Sequence, residues 1–190
     1  MSNSGFLIVI TAPSGSGKTT IYRHILEKYT DFEYSVSYTT RRQRKDEIEG
    51  VDYFYINRKE FERMIERGEF IEWAIVHGEL YGTENKQIVD CLKRNKICIL
   101  SIDVQGAIRV MKEYPDAVTI FIEPPSLEEL EKRLRKRGTE SEEEMKIRLM
   151  NAQNELEYKS HFKYIVVNDI VEDTLKDVEN IIAREKELRR

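Results

Sequence analysis

The chain has 190 residues, with 31 Lys and Arg against 35 Asp and Glu and a formal net charge of −4. That length suits one domain with a sizeable core, or one domain carrying insertions. With 40% hydrophobic and 35% charged residues, disordered and membrane-embedded classes are excluded, and bulk charge gives no general attraction for nucleic acid. The longest clean apolar run, residues 6–10, is far short of the roughly 20 residues of a membrane helix. The N-terminal Met1-Ser2-Asn3-Ser4-Gly5 lacks the positive region of a signal peptide. A cytoplasmic chain with no membrane contact is therefore expected. Cys91 and Cys98 lack C-x-x-C spacing and have no nearby His, so they read as reduced structural thiols.

In chain order, residues 6–11 (FLIVIT) form an apolar, β-branched run of the kind buried on both faces of a sheet. A Gly/Ser turn leads into a helix over about 18–29, with Ile21, Ile25, Leu26 and Tyr29 as its apolar stripe. Between about 34 and 82 the composition shifts to Tyr, Thr, Arg and Glu. Strand-like runs at 34–38, 53–56 and 70–76 are interrupted by a short helix, with Asn57 as N-cap, Glu60 completing a capping box and Gly68 as stop. This region reads as a small mixed sheet inserted into the main pattern. Residues 97–102 (ICILSI), 118–122 (VTIFI) and 164–167 (YIVV) are further core strands. Ser126 with Glu129, and Ser141 with Glu144, predict capping boxes opening helices to about Lys136 and Lys159. The second helix carries the stripe Met145, Leu149, Ala152 and Leu156. Together they form an exposed hairpin joined at Arg137-Gly138-Thr139 that could close over something. A last amphipathic helix carries Leu175, Val178, Ile181 and Ile182. The alternation of strand and helix predicts an α/β fold, a parallel sheet with helices on both faces.

The strongest local signal is Ala12-Pro13-Ser14-Gly15-Ser16-Gly17-Lys18-Thr19, between a predicted strand and a predicted helix. That is the context of a phosphate-binding P-loop. Its glycines let backbone N–H groups turn inward around a polyphosphate, and the helix N-terminus adds positive charge. Lys18 would serve the β- and γ-phosphates, and the Thr19 hydroxyl could ligate Mg²⁺. The strict pattern begins with Gly where this chain has Ala12, which is tolerable at negative φ. Arg41, Arg42 and Arg44 follow a run of hydroxyl residues and offer planar donor forks suited to a second phosphate; the phenols of Tyr53 and Tyr81 could complete that clamp. Glu72 is a carboxylate inside an apolar, aromatic strand pattern. It reads either as a surface position on an edge strand or as an acceptor for two donors of one planar ligand. Guanine presents such a pair at N1–H and its 2-amino group, and adenine does not. Asp103 ends a core strand, where ligand-facing residues of open α/β sheets lie. It could be a metal-side carboxylate or a base-binding group. Arg133, Arg137 and Arg148 on the hairpin could clamp a transferring phosphoryl group. His24, His77 and His161 show no metal-ligand spacing.

Taken together, APSGSGKTT, SVSYTTRRQR, GVDYFYI, GEFIEWAIVHGELYGT, SIDVQGA, EPPSLEELEKRLRKRGTES and IVVND resemble the guanylate kinases over nearly the whole chain. The P-loop is common to many NTPases, whereas the ordered set is specific. The resemblance implies a P-loop core (1–33, 84–126 and 160–190), a GMP-binding insertion (34–83) and a lid (127–159). It implies Mg²⁺-dependent transfer of the γ-phosphoryl of ATP to GMP, with dGMP as a further acceptor and no nucleic-acid or membrane partner; monomer and homodimer remain open. By position it places the GMP phosphate at Arg41, Arg44, Tyr53 and Tyr81, and guanine at Ser37, Glu72, Thr83 and Asp103. The ATP phosphates fall at Ser14, Gly15, Ser16, Gly17, Lys18, Thr19 and Thr20. Arg133 and Arg137 fall on the ATP side, and Asn168 near the adenine. The reacting groups would be served by Lys18, Arg41, Arg137 and Arg148, with Thr19 on the metal. Ala12 departs from the family's Gly, and Ser101 stands where a carboxylate is frequent. Two rivals are a kinase for another phosphorylated acceptor and a phosphopeptide-binding module that has lost catalysis. Glu72 with Asp103 argues against the first, and Lys18-Thr19 against the second.

Overall fold

Ile8 and Ile10 point to one side of the first strand, Leu7 and Val9 to the other, and all four are buried. With side chains alternating across a strand, an unbroken apolar run demands cover on both faces, and the architecture follows from that demand. The computed structural model describes residues 5–76, 78–137 and 142–190; Arg137 is placed in its helix, its side chain excepted. The first elements are β1 (Leu7–Thr11), α1 (Lys18–Lys28), β2 (Phe32–Tyr34), β3 (Tyr38–Thr39) and β4 (Phe54–Tyr55). Then come α2 (Arg58–Glu66), β5 (Phe70–Val76), β6 (Glu79–Glu84), α3 (Asn85–Lys93), β7 (Ile97–Ser101) and α4 (Val104–Glu113). The chain continues through β8 (Val118–Glu123), α5 (Leu127–Arg137), α6 (Glu142–Glu157), β9 (Tyr164–Val167) and α7 (Val171–Leu188).

The main sheet is wholly parallel, in the order β2-β7-β1-β8-β9. On one face Ile8, Ile10, Ile99 and Ile120 pack against Ile21 and Ile25 of α1 and Val178 and Ile182 of α7. On the other, Leu7, Val9, Leu100 and Phe121 pack against Ile88 and Cys91 of α3 and Val104 and Val110 of α4. A second, mixed sheet has the order β4-β3-β6-β5. In it β3 runs parallel to β4, and the β3–β6 and β5–β6 pairs are antiparallel. Helices α5 and α6 form a satellite core around Leu130, Leu134, Met145 and Ala152. Among the described residues no helix is long and apolar enough to cross a membrane.

Four core strands are expected from the sequence; the sheet has a fifth, β2. It is only three residues long and sits at the edge, paired through Phe32, Glu33 and Tyr34 to β7. The single run expected over 34–38 is thus two pieces, Tyr34 closing β2 and Tyr38 opening β3. β6, which lies inside the second sheet, carries no separate sequence signal. Asn57 and Ser126 do cap their helices, accepting from the Glu60 amide at 2.9 Å and the Glu129 amide at 3.1 Å. The return halves of those boxes are replaced: the Glu60 and Glu129 carboxylates instead accept from Arg63 and Arg133 further along their own helices. Ser141 and the 138–139 joint lie outside the described residues. Cys91 and Cys98 are free and buried.

The edge strand β9 is fastened to α7 by a buried carboxylate. Glu185 receives Tyr164 Oη at 2.5 Å and Lys163 Nζ at 2.7 Å, and also pairs with Arg189. Burial alone would raise its pKa, but these donors outweigh burial and hold it at about 2. A carboxylate with a depressed folded-state pKa stabilises the fold above its unfolded value of 4.5 and loses that contribution as pH falls towards 2. Glu185→Gln should therefore lower unfolding stability by about 1.5–3 kcal/mol at pH 7, the range for hydrogen bonds to a charged group. In denaturant titrations the gap between the two proteins should close as pH drops below 4.5.

Candidate active site

Where β1 ends, the chain turns back through the P-loop. Ala12 is buried, and the only described non-glycine residue with positive φ is Asn95, so Ala12 stands there without backbone strain. Gly15 and Gly17 do need glycine, with φ of 96° and 89°. The Ser16 amide donates within the loop to the Pro13 carbonyl at 3.0 Å, and Ser16 Oγ is buried without a partner. Helix α1 starts at Lys18 with no acidic residue in its first turn, leaving the positive end of its dipole to an outside anion. Lys18 Nζ donates to the Ile102 carbonyl at 2.9 Å, an oxygen that also accepts from Thr11 Oγ1 at 2.7 Å. Burial lowers the Lys18 pKa, against the opposing fields of Asp103, Glu155 and Glu72. Thr19 and Thr20 are exposed on the first turn.

The expected second phosphate cluster is assembled around Arg41. Its Nε donates to Tyr81 Oη at 3.0 Å, and its two terminal nitrogens donate to the two oxygens of Glu47, each at 2.9 Å. The guanidinium lies 5.2 Å from the Tyr53 ring centroid and 5.7 Å from that of Tyr55. Glu47 also accepts from Tyr55 Oη at 2.7 Å and the Arg44 amide at 2.8 Å. Burial pushes the Glu47 pKa up, but the bonds from Arg41, Arg44 and Tyr55 bring it down to about 2. Burial raises the Tyr53 phenol to about 12, so it stays a hydrogen-bond donor. The Arg44 side chain is over half exposed and only 3.9 Å from Glu47 at its nearest.

The third group lies at the junction of the two sheets. Glu72, on β5, is only 4% exposed and accepts from Thr83 Oγ1 of β6 at 2.6 Å. Thr83 stands 3.4 Å from Ser37 Oγ, and both residues are buried. Burial raises the Glu72 pKa to about 7; Thr83 opposes the rise and Asp103 adds to it. Asp103 caps α4, one of its oxygens accepting from the amides of Gln105 at 2.7 Å and Gly106 at 3.0 Å. The surface reading of Glu72 is thereby excluded, because an exposed edge position would not bury the carboxylate.

A single cleft of about 430 Å³ joins these groups, lined by Lys18, Thr19, Arg41, Tyr81, Glu72 and Asp103 among others. Ser14 and Arg148 line it together, Arg148 Nη1 donating to Ser14 Oγ at 2.9 Å. Two expected residues sit behind the P-loop instead. Asn168 is buried, donates to the Ser16 carbonyl at 2.7 Å and accepts from Thr174 at 3.0 Å. Arg133 donates to the Asn168 carbonyl at 2.8 Å. The Arg137 side chain lies outside the described residues. Sequence reasoning passed over Glu47, which hides in a run of charges, and Glu155, which lines the cleft and is raised by burial to about 7. For Glu155 a signal existed, since it lies seven residues, two helical turns, from Arg148 on one face of α6. It also passed over the pairing of Arg23 on α1 with Asp52 of the loop before β4.

The family model for guanylate kinase matches residues 4–185. A guanylate kinase of Caldanaerobacter subterraneus subsp. tengcongensis is 45% identical over 98% of this chain and 90% of its own length. One from Thermotoga maritima is 46% identical over 96% and 88%. The crystal structure of guanylate kinase from Anaplasma phagocytophilum superposes with a TM-score of 0.80 at 34% identity, covering 97% of this chain and 87% of that one. With such agreement over almost all of its length, and a cleft of this chemistry, the chain belongs to the guanylate kinase family, enzymes of ATP-dependent phosphorylation of GMP to GDP.

Proposed function

We propose that this chain transfers the γ-phosphoryl of ATP directly to the phosphate of GMP, giving ADP and GDP, with Mg²⁺ as the working cation. The observation that carries this reading is one cleft with a P-loop at one end, a basic and phenolic clamp in its wall, and a buried carboxylate at the sheet junction. The phosphate of GMP is already an anionic nucleophile, so the protein's work is positioning and charge neutralisation, with no covalent intermediate. The P-loop amides, Lys18 and the first turn of α1 hold the ATP phosphates. Arg41, Arg44, Tyr53 and Tyr81 hold the GMP phosphate. Ser37, Glu72, Thr83 and Asp103 form the guanine site. Arg148 faces the transferring group from α6, and Arg137 is assigned to the same side. Arg133 and Asn168 support the ATP end, gripping the loop from behind. The core (1–33, 84–126, 160–190), insertion (34–83) and lid (127–159) are assigned accordingly, and the same reading assigns the enzyme to the cytoplasm.

The donor set suits Mg²⁺, which prefers hard oxygen ligands and keeps several waters. Thr19 offers that kind of ligand, an exposed hydroxyl at the start of α1 lining the cleft. When bound, Mg²⁺ neutralises charge on the β- and γ-phosphate oxygens. Lys18 shifts from the Ile102 carbonyl to the phosphates and carries the same burden from the protein side.

Assayed with ATP against GMP, dGMP, AMP, UMP and CMP, the protein should turn over the two guanine nucleotides far faster than the rest. Lys18→Ala should abolish turnover with the fold intact by circular dichroism. Phosphorylation of all acceptors alike, or none with ATP, would reject the assignment.

Arg41→Met should weaken GMP binding by about 10- to 100-fold, the loss of a charge-assisted pair of hydrogen bonds. Guanosine, which lacks the phosphate, should bind almost as well as before. Calorimetric titration of both ligands reads this out; equal losses would make Arg41 a structural residue.

Glu72→Gln turns one acceptor into a donor facing a donor. It should cost GMP about 2–4 kcal/mol, on the order of a hundredfold in kcat/KM, and leave AMP nearly unchanged. The wild-type site adds a pH signature. Only ionised Glu72 can accept both guanine donors, and its pKa in the free site is about 7. Guanosine affinity should therefore rise with pH, by up to about tenfold per unit below 7, and level off above. The Glu72→Gln variant should show a flat profile over pH 5–8.

A further inference from the structure

Glu72 is held by Thr83 on one side, but its other side is set by a residue that makes no bond to it. Gly106 is the third residue of α4, and a Cβ placed there would lie 2.4 Å from Glu72 Oε2, 2.9 Å from Cδ and 3.4 Å from Cγ. All three nearest atoms belong to the Glu72 side chain. Glycine weakens a helix interior relative to alanine, and Gly106 is not among the glycines with positive φ. Backbone conformation therefore does not call for glycine here, whereas the contact does.

Helix α4 is held in place at its first turn and one turn further on. Its first turn is fixed by Asp103, which accepts from the Gly106 amide itself at 3.0 Å. Three residues on, Arg109 donates to the Trp73 carbonyl, next in sequence to Glu72, with its guanidinium 5.6 Å from the indole centroid. The helix is thus tied to β5 by Arg109, one turn beyond the close approach. A methyl group added at position 106 would be relieved most readily by the carboxylate, the mobile end of a side chain.

We propose that Gly106 is a positioning residue for base recognition: the missing side chain at this turn of α4 sets where the Glu72 carboxylate stands, and so how strictly the site selects guanine. The proposal rests on Glu72 being the guanine reader. Gly106→Ala should lower kcat/KM for GMP about tenfold or more, mainly through KM for GMP. KM for ATP should be unchanged, Tm no lower than wild type, and the GMP-to-AMP preference reduced. With the carboxylate removed in Glu72→Ala, the added methyl has nothing to displace, and Gly106→Ala should then change kcat/KM for GMP by less than twofold.

The four proteins of this cycle separate the outcomes. If Glu72→Ala alone leaves the GMP-to-AMP preference intact, the guanine-reader assignment fails and Gly106 falls with it. If Glu72→Ala collapses the preference but Gly106→Ala keeps it within threefold, the Gly106 proposal alone is overturned. It is also overturned if Gly106→Ala costs the same factor in both backgrounds, since that marks a general disturbance of α4.

Discussion

Lys18, the first residue of α1, is half-buried with its ammonium on one backbone carbonyl, and among the described residues it has no ion pair. The carboxylates whose fields reach it, Asp103, Glu155 and Glu72, do so without contact. Burial accordingly pushes Lys18 down and Glu72 and Glu155 up towards 7. A cleft in which partly desolvated groups of both signs are left short of partners is electrostatically incomplete, and such groups are costly unless a partner arrives. Polyphosphate would complete the lysine, and two aligned donors would complete Glu72.

The clamp around Arg41 is prepared in the opposite way. There the protein provides its own carboxylate, Glu47, which meets the guanidinium on both terminal nitrogens and also takes Tyr55 and the Arg44 amide. Such bidentate pairing fixes the plane of the guanidinium. Arg41 Nε and the phenols of Tyr53 and Tyr81 stand beside that pair. The arginine is thus oriented before a ligand arrives, at one end of a cleft whose other end stays electrostatically open.

The sequence was legible where chemistry is written in contiguous residues. The P-loop reads from one octapeptide, because its shape depends on local backbone freedom and on the strand and helix flanking it. Glu72 reads from a charge set in an apolar strand, which is abnormal wherever it occurs. The parallel core reads from runs that need cover on both faces. What stayed hidden depends on pairing at a distance. β2 has three residues and becomes a strand only by lying against β7. Glu47 is one acid in the run RRQRKDE until the loop from 41 to 55 folds back and surrounds it. The bond from Arg133 to the Asn168 carbonyl is of the same kind, since no helical pattern shows which distant backbone group a side chain reaches.

That last contact explains why one loop treats its small residues so differently. At Gly15 a Cβ would meet Leu134 Cδ2 of α5 at 2.9 Å, and at Gly17 it would meet Asn168 Nδ2 at 2.3 Å. The P-loop is gripped between α5 on one side and the end of β9 on the other, and both glycines also have positive φ. Backbone conformation calls for glycine at each position, and a side chain there would also have to displace Leu134 or Asn168. Ala12 has neither constraint: its φ is not positive, and it is buried in the core cluster with Ile10 and Ile21. There a methyl group adds apolar contact beneath the loop. The departure from the strict motif thus falls at a position where the backbone does not require glycine.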